Sequence, residues 1–268
     1  MPDAPSYQHI TYEKRGRIAL VTLNRPDKLN AWTPIMEMEF IDAVNRTAAD
    51  GGLSVLVVTG AGRGFCSGAD IGRWSDDIAS SGNSTPRSPL LNQEGSPEVP
   101  IALSRGKPAI AAINGPSIGI GLTMPLACDI RIASDKATFS ARFVKIGLTP
   151  ECGSTRYLPL VAGFGNALYL ALTGRIIDAG EAKERGLVDR VVPHDSLMDE
   201  AMALAEEIAA NPPNAVWGAK RLLHENAVEP NLRRLVTQES YSIREQRRLP
   251  DHAEAVAAFM EKRQPKFQ

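Results

Sequence analysis

Four short stretches, 18–24 (IALVTLN), 54–59 (SVLVVT), 109–113 (AIAAI) and 129–133 (DIRIA), are rich in β-branched residues and most are almost continuously apolar. Such runs read as strands buried on both faces, which implies sheets joined by crossover connections rather than by tight hairpins. Between the first two, TPIMEMEFIDAVNRTAAD (33–50) offers Thr33 as a cap and Pro34 at the first helical position. Ile35, Met38, Ile41 and Val44 then recur at helical spacing. Further on, Asp178 and Glu181 open a short helix that Gly186 closes, and LVDRVV (187–192) follows as another strand. The repeating unit is strand, turn, helix. From Leu197 onward the pattern changes to helices only, broken by Pro212, Pro213, Pro230 and Pro250. The expected organisation is an α/β core over 1–196 and a helical region over 197–268, which caps the sheets or reaches a neighbouring subunit.

The chain has 268 residues, 43% of them hydrophobic, enough for one large core without staples. Its 30 basic and 31 acidic residues leave a net charge of -1, so neither nucleic acid nor an anionic membrane surface is indicated as a partner. Cys66, Cys128 and Cys152 are too few and too widely spaced for a disulfide framework or a zinc site, and they point to a reducing cytoplasm. The first residues are polar and fail as a secretory signal, and no run is long enough to span a bilayer. The stretch 75–100 is rich in Ser, Pro and Gly, and reads either as a plain loop or as a lid over a site.

Two turns stand out chemically. NGPSIGIGLTMPLACD (114–129) passes from a glycine-rich turn directly into an apolar helix, where backbone N–H groups are free and the helix end is positive. FCSGAD (65–70) ends a strand in another turn of small residues. Each alone reads as an ordinary turn; together they could aim two backbone donors at one carbonyl oxygen, the arrangement that stabilises an enolate.

In this order, with LNRP (23–26) before them and CDIRIAS (128–134) after, the two motifs resemble the crotonase (enoyl-CoA hydratase/isomerase) superfamily over nearly the whole chain. The resemblance implies a spiral of strand-strand-helix repeats, assembly as a homotrimer or dimer of trimers, and an acyl-CoA thioester as substrate. Coenzyme A then belongs to the substrate and no separate cofactor or metal is expected. It also implies that the N–H groups of Ser67 and Ile120 form the anion hole. Ile120 departs from the glycine of many relatives; only its N–H is needed, so its branched side chain bears on which α-substituents fit. By the same resemblance Arg25 and Lys28 lie near the CoA pyrophosphate, Ala69 and Asp70 line the CoA site, and Phe259 and Lys262 reach the nucleotide, commonly that of an adjacent subunit.

The carboxylates separate the reactions. Family hydratases use two glutamates, and their positions hold Thr123 and Phe143 here. What remains is Glu151, after Pro150, which resembles the single catalytic acid of one isomerase branch and the related aspartate of ring-opening acyl-CoA isomerases. A lone carboxylate suits a double-bond shift, since one group can remove a proton from C2 of a 3-enoyl thioester and return it at C4. Phe143, Ile146, Leu148 and Thr123 are expected to keep water away from it. Taken without the family, Glu151 reads as a helix-terminal acid that complements the dipole. Two rival functions stay open: a hydratase drawing a second acid from Asp76, Asp77 or Glu94, and a CoA-thioester binding protein without turnover. His9, His194, His224 and His252 read as surface residues, Cys152 as packing, and Asp129 as a structural acid securing a turn through backbone N–H groups.

Overall fold

The computed structural model describes residues 6–70, 72 and 98–267. Its main sheet has six strands in the order β1(Ile10–Arg15), β2(Ile18–Leu23), β3(Val55–Gly60), β4(Ala109–Ile113), β6(Ile130–Ser134), β9(Arg190–Val192). Only β1 and β2 pair antiparallel; every later neighbour is parallel, as the continuous apolar runs required. β1 went unread in the sequence because half of it is exposed and ITYEKR carries little apolar signal. A second sheet of three short strands, β5(Ser117–Ile118), β7(Thr138–Ser140) and β8(Ile177–Asp178), lies beside the first.

Each face of the main sheet has its own cover. Ala19, Val21, Leu56, Val58 and Ala111 meet α1(Pro34–Ala49) and α2(Glu98–Arg105) in one core. Leu20, Val57, Ile110 and Ile132, one residue out of phase, meet Leu197, Ala201, Ala205 and Ala209 in another. Those four lie at helical spacing along α7(Leu197–Ala209), so the first helix of the C-terminal region is a layer of the sheet's own packing.

Thr33 caps α1 as expected, its hydroxyl accepting from Met36 N at 3.1 Å. The buried stripe differs from the expected one: Met36, Phe40, Ala43, Val44 and Thr47 face inward, while Ile35 and Met38 are 37% and 43% exposed. The large Phe40 ring, edge-on to Trp32, sets the rotation of the helix and outweighs the smaller aliphatics. Asp178 likewise caps α6(Ala179–Glu184) by accepting from Glu181 N at 2.8 Å. The remaining helices are α3(Ile120–Leu126), α4(Ser154–Ala162), α5(Phe164–Thr173), α8(Pro213–Asn226), α9(Leu232–Gln246) and α10(Pro250–Glu261). Among the described residues no helix is long and apolar enough to cross a membrane.

Candidate active site

The two turns singled out in the sequence lie against each other. Cys66 bridges to Ser117, with Cys66 N donating to Pro116 O at 2.9 Å and Ile118 N to Cys66 O at 3.0 Å. Gly68, at φ +103, turns the chain between this partner and the next, and a side chain there would press on Ile118 O at 3.2 Å. Gly121 makes the closest approach, since a Cβ would collide with the carbonyl of Cys66. The first turn of α3 therefore rests directly on 66–69.

Ser67 was expected to offer the first anion-hole donor, and the structure corrects this: Ser67 N already donates to Leu29 O at 3.0 Å. The free amide lies two residues on. Trp32 N donates to Gly68 O at 2.8 Å and Asp70 N to Trp32 O at 3.0 Å. Carbonyl 68 and amide 70 thus face the Trp32 segment, and the amide of Ala69 between them faces away, with no acceptor among the described residues. The sequence motif located the turn but not its parity, which depends on pairing with a segment 37 residues earlier. The second expected donor, Ile120 N, opens α3 and has no intrahelical acceptor.

Glu151 sits on the loop entering α4. Its carbonyl accepts from Ser154 N at 3.1 Å and from Ser154 Oγ at 2.7 Å, and Cys152 and Gly153 follow with φ of +55° and +70°. A non-glycine residue in the left-handed region is strained, so the turn that presents Glu151 is held by its surroundings. The Glu151 carboxyl accepts from Thr123 Oγ1 at 2.8 Å. Glu151 as a residue is exposed to solvent, while protein crowding around its carboxyl pushes the pKa up to about 7. The Thr123 hydrogen bond works against that rise and the negative charge of Glu37 adds to it. Glu37, on α1, was not singled out in the sequence, where it is one more polar position of an amphipathic helix.

The apolar surroundings are partly those expected. Phe143 and Thr123 are buried, but Ile146 and Leu148 are 50% and 42% exposed and do not wall off the carboxyl. On the other side of Thr123, Leu122, Pro150, Leu158 and Phe164 line an apolar cavity of about 190 Å³ between α3, α4 and α5, which Glu151 itself does not line.

The expected CoA contacts divide. Arg25 is a loop clamp: Nη1 donates to Ala31 O at 2.6 Å and Nη2 to Asp70 Oδ2 at 2.9 Å, with both side chains mostly covered. Its placement near a pyrophosphate rested on the family resemblance of this loop, and here its charge is paired within the protein. Lys28 is exposed on the same loop. Phe259, 82% exposed, and Lys262 lie at the end of α10. Asp76, Asp77, Glu94 and most of the 75–100 stretch lie outside the described residues. Among the described residues no group of three or more His, Cys, Asp or Glu could hold a metal ion. Asp129 does secure a turn, accepting from Ala109 N at 2.7 Å, but His224 is no free surface residue: its Nε2 lies 2.9 Å from Asp129 Oδ1.

Residues 13–268 match the family model described as enoyl-CoA hydratase/isomerase. The chain belongs to that family. It is 35% identical over 261 residues to the 1,2-epoxyphenylacetyl-CoA isomerase of Escherichia coli K12, covering 96% of this chain and 97% of that one. It is 36% identical over 255 residues to the peroxisomal Delta(3,5)-Delta(2,4)-dienoyl-CoA isomerase of Arabidopsis thaliana, covering 91% and 90%. The crystal structure of an enoyl-CoA hydratase from Bacillus anthracis superposes with a TM-score of 0.85 at 31% identity, covering 97% of this chain and 99% of that one. The fold is thus the crotonase fold, and the enoyl-CoA hydratase/isomerase family contains both activities at this level of similarity.

Proposed function

We propose that this enoyl-CoA hydratase/isomerase family member is an acyl-CoA isomerase that moves a double bond from the 3 to the 2 position, with Glu151 as the only proton carrier. The observation that carries the reading is the carboxyl of Glu151, bonded to the Thr123 that stands where hydratases have a glutamate. The thioester oxygen is held by the free amides of Ala69 and Ile120, which stabilise charge as it develops rather than in the ground state. Glu151 removes a C2 proton, the electron pair passes into the enolate and its conjugated C3–C4 double bond, and the same carboxyl returns the proton at C4. A carboxyl titrating near 7 is matched to both halves of that cycle, as it is neither too weak to accept nor too strong to hold the proton.

Exposed Lys28 and Lys262 are the cations offered to the CoA phosphates. Exposed apolar residues such as Phe164, Leu172 and Phe259 support assembly with further copies of the chain, a trimer or a dimer of trimers, which light scattering tests.

The deciding experiment is Glu151→Gln, followed by NMR of solvent-deuterium exchange at C2 of a 3-enoyl-CoA alongside turnover. Exchange and turnover should fall by several orders of magnitude while acyl-CoA binding persists. Wild-type exchange in the variant overturns the assignment, and binding without exchange in the wild type favours a non-catalytic thioester binder. Crotonyl-CoA hydration should run at least about a thousandfold below a competent hydratase. Fast water addition would instead support the hydratase reading.

A further inference from the structure

Thr123 is 1% exposed and lies on α3, three residues after Ile120. Residues three apart share a helix face, so the amide proposed to hold the enolate oxygen and the hydroxyl that meets the base are built on the same turn of one short, buried element. The hydroxyl has one proton to give, and it is given to Glu151 Oε1 at 2.8 Å. Among the described residues Oε2 has no partner. A carboxyl with one oxygen capped by a fixed donor carries its transferable proton on the other.

Building on the isomerase reading above, we infer that Thr123 is a positioning residue: its bond to Oε1 reserves Oε2 as the oxygen that takes the C2 proton and returns it at C4. In the first step the C2–H bond breaks, an O–H bond forms at Oε2, and the electron pair moves into the dienolate. In the second step the dienolate takes that same proton at C4 and the C2–C3 double bond forms. The Thr123 hydroxyl keeps its own proton and its own acceptor throughout, so it orders the carboxyl without exchanging with substrate. The position that holds a carboxylate in hydratases thereby becomes the support for a carboxylate that arrives from another loop.

The charged and titratable groups around the carboxyl define what the bond has to do. Glu37 on α1 repels the ionised form, and the buried thiols of Cys152 and Cys66 are held neutral, both raised by burial. The Thr123 bond favours ionisation against burial and Glu37, so its loss moves the midpoint upward.

The test compares Thr123→Val, which removes the hydroxyl at nearly constant volume, with Thr123→Ser, which keeps it, each against Glu151→Gln. For Thr123→Val, kcat with a 3-enoyl-CoA should fall by about 10- to 100-fold with KM changed less than about twofold. The acid limb of its pH profile should shift to higher pH. Thr123→Ser should restore the wild-type midpoint and most of kcat. Thr123→Ala replaces the valine variant if that one fails to fold, and is read by the same midpoint. A wild-type midpoint and kcat in the hydroxyl-free variant, with Glu151→Gln inactive, overturns the role of Thr123 and leaves the proton-shuttle reading standing. An equal loss in Thr123→Ser also overturns it, since packing alone would then be at issue. Wild-type exchange in Glu151→Gln overturns the shuttle itself, a result independent of either threonine variant.

Discussion

Lys220 Nζ lies 2.8 Å from Asp129 Oδ2, and this pair joins the C-terminal helices to the start of β6, the sheet strand that follows α3. The same ammonium donates to Leu103 O at 2.6 Å and Lys107 O at 2.9 Å, so its three protons all have acceptors although the side chain is only 5% exposed. Burial opposes ionisation of Asp129, but the His224 bond, the Lys220 charge and the Ala109 amide outweigh it and hold the carboxyl below its ordinary range. His224 also meets the Tyr157 ring edge-on, with centroids 6.4 Å apart, on the helix that begins three residues after Glu151.

Replacing Lys220 by Met should therefore destabilise the fold by about 3–5 kcal/mol, because it removes the cation beside a mostly covered carboxylate and leaves two carbonyls without their donor. Urea denaturation measures the loss. Adding Asp129→Asn to Lys220→Met should cost much less than the sum of the single changes, as expected for partners in one network. A loss below about 1 kcal/mol for Lys220→Met would mean that water replaces the ammonium freely.

Arg25 gives a contrasting case. With its guanidinium bonded to Ala31 O and Asp70, Arg25→Glu should lower stability by about 1–3 kcal/mol, since it removes a charge-assisted bond and sets two acids together. Lys262→Glu, on an exposed terminus, should leave the melting temperature within a degree or so and weaken acyl-CoA binding alone. Calorimetric titration beside thermal denaturation separates the two, and an unchanged melting temperature for Arg25→Glu would return that residue to the ligand.

The apolar strands of the main sheet, both N-caps and the crossover connections were legible because each is set by neighbours within a few residues: apolar runs, Thr33 before Pro34, Asp178 three before Glu181; the half-exposed β1 and the short β5, β7 and β8 carry no such run. The contact between the turns 65–70 and 114–121 was legible in their motifs, and Glu151 was singled out by its place after Pro150. What escaped the sequence depends on distant pairing. Whether Ser67 or Ala69 carries the free amide is decided by the bridge to Trp32, and the partner of Asp129 lies on a helix more than 90 residues away. Arg25 shows that a charge beside a suspected phosphate site cannot be assigned until its internal acceptors are known.

Gly121 tests the contact between the two turns. Alanine is the better helix former by about 1 kcal/mol, so on an open helix Gly121→Ala would stabilise. Here its Cβ would come within 2.9 Å of Cys66 C and Cβ, and closer still to Cys66 O, none of which is a flexible side-chain end. The turns must separate, at a cost of about 1–3 kcal/mol. The Ala69 and Ile120 amides then diverge, and turnover should fall by about 10²- to 10³-fold, the range for a lost anion-hole donor. Full activity with wild-type stability would show that the turns are free to slide and that the proposed anion hole does not need their contact.

The raised pKa of Glu151 predicts opposite trends for activity and stability. As a base the carboxyl must be ionised, so kcat/KM should rise with pH through about 7 and level off above 8. Crowding keeps the proton on the folded protein up to about 7, whereas in the unfolded chain the group releases it near its ordinary 4.5. Between those values the native state binds more protons than the unfolded state, so this group makes stability decline as pH rises across the window and lets it settle above 7. Glu151→Gln cannot ionise and keeps an acceptor for Thr123, so its melting temperature should gain on the wild type from pH 4.5 to 7 and hold that lead at pH 8. Glu151 is an exposed residue, which keeps the lead small, and differential scanning calorimetry across the pH series resolves its sign. A difference that stays flat over the window would mean that the carboxyl titrates as an ordinary surface acid, and the activity profile would then have to draw its midpoint from another group.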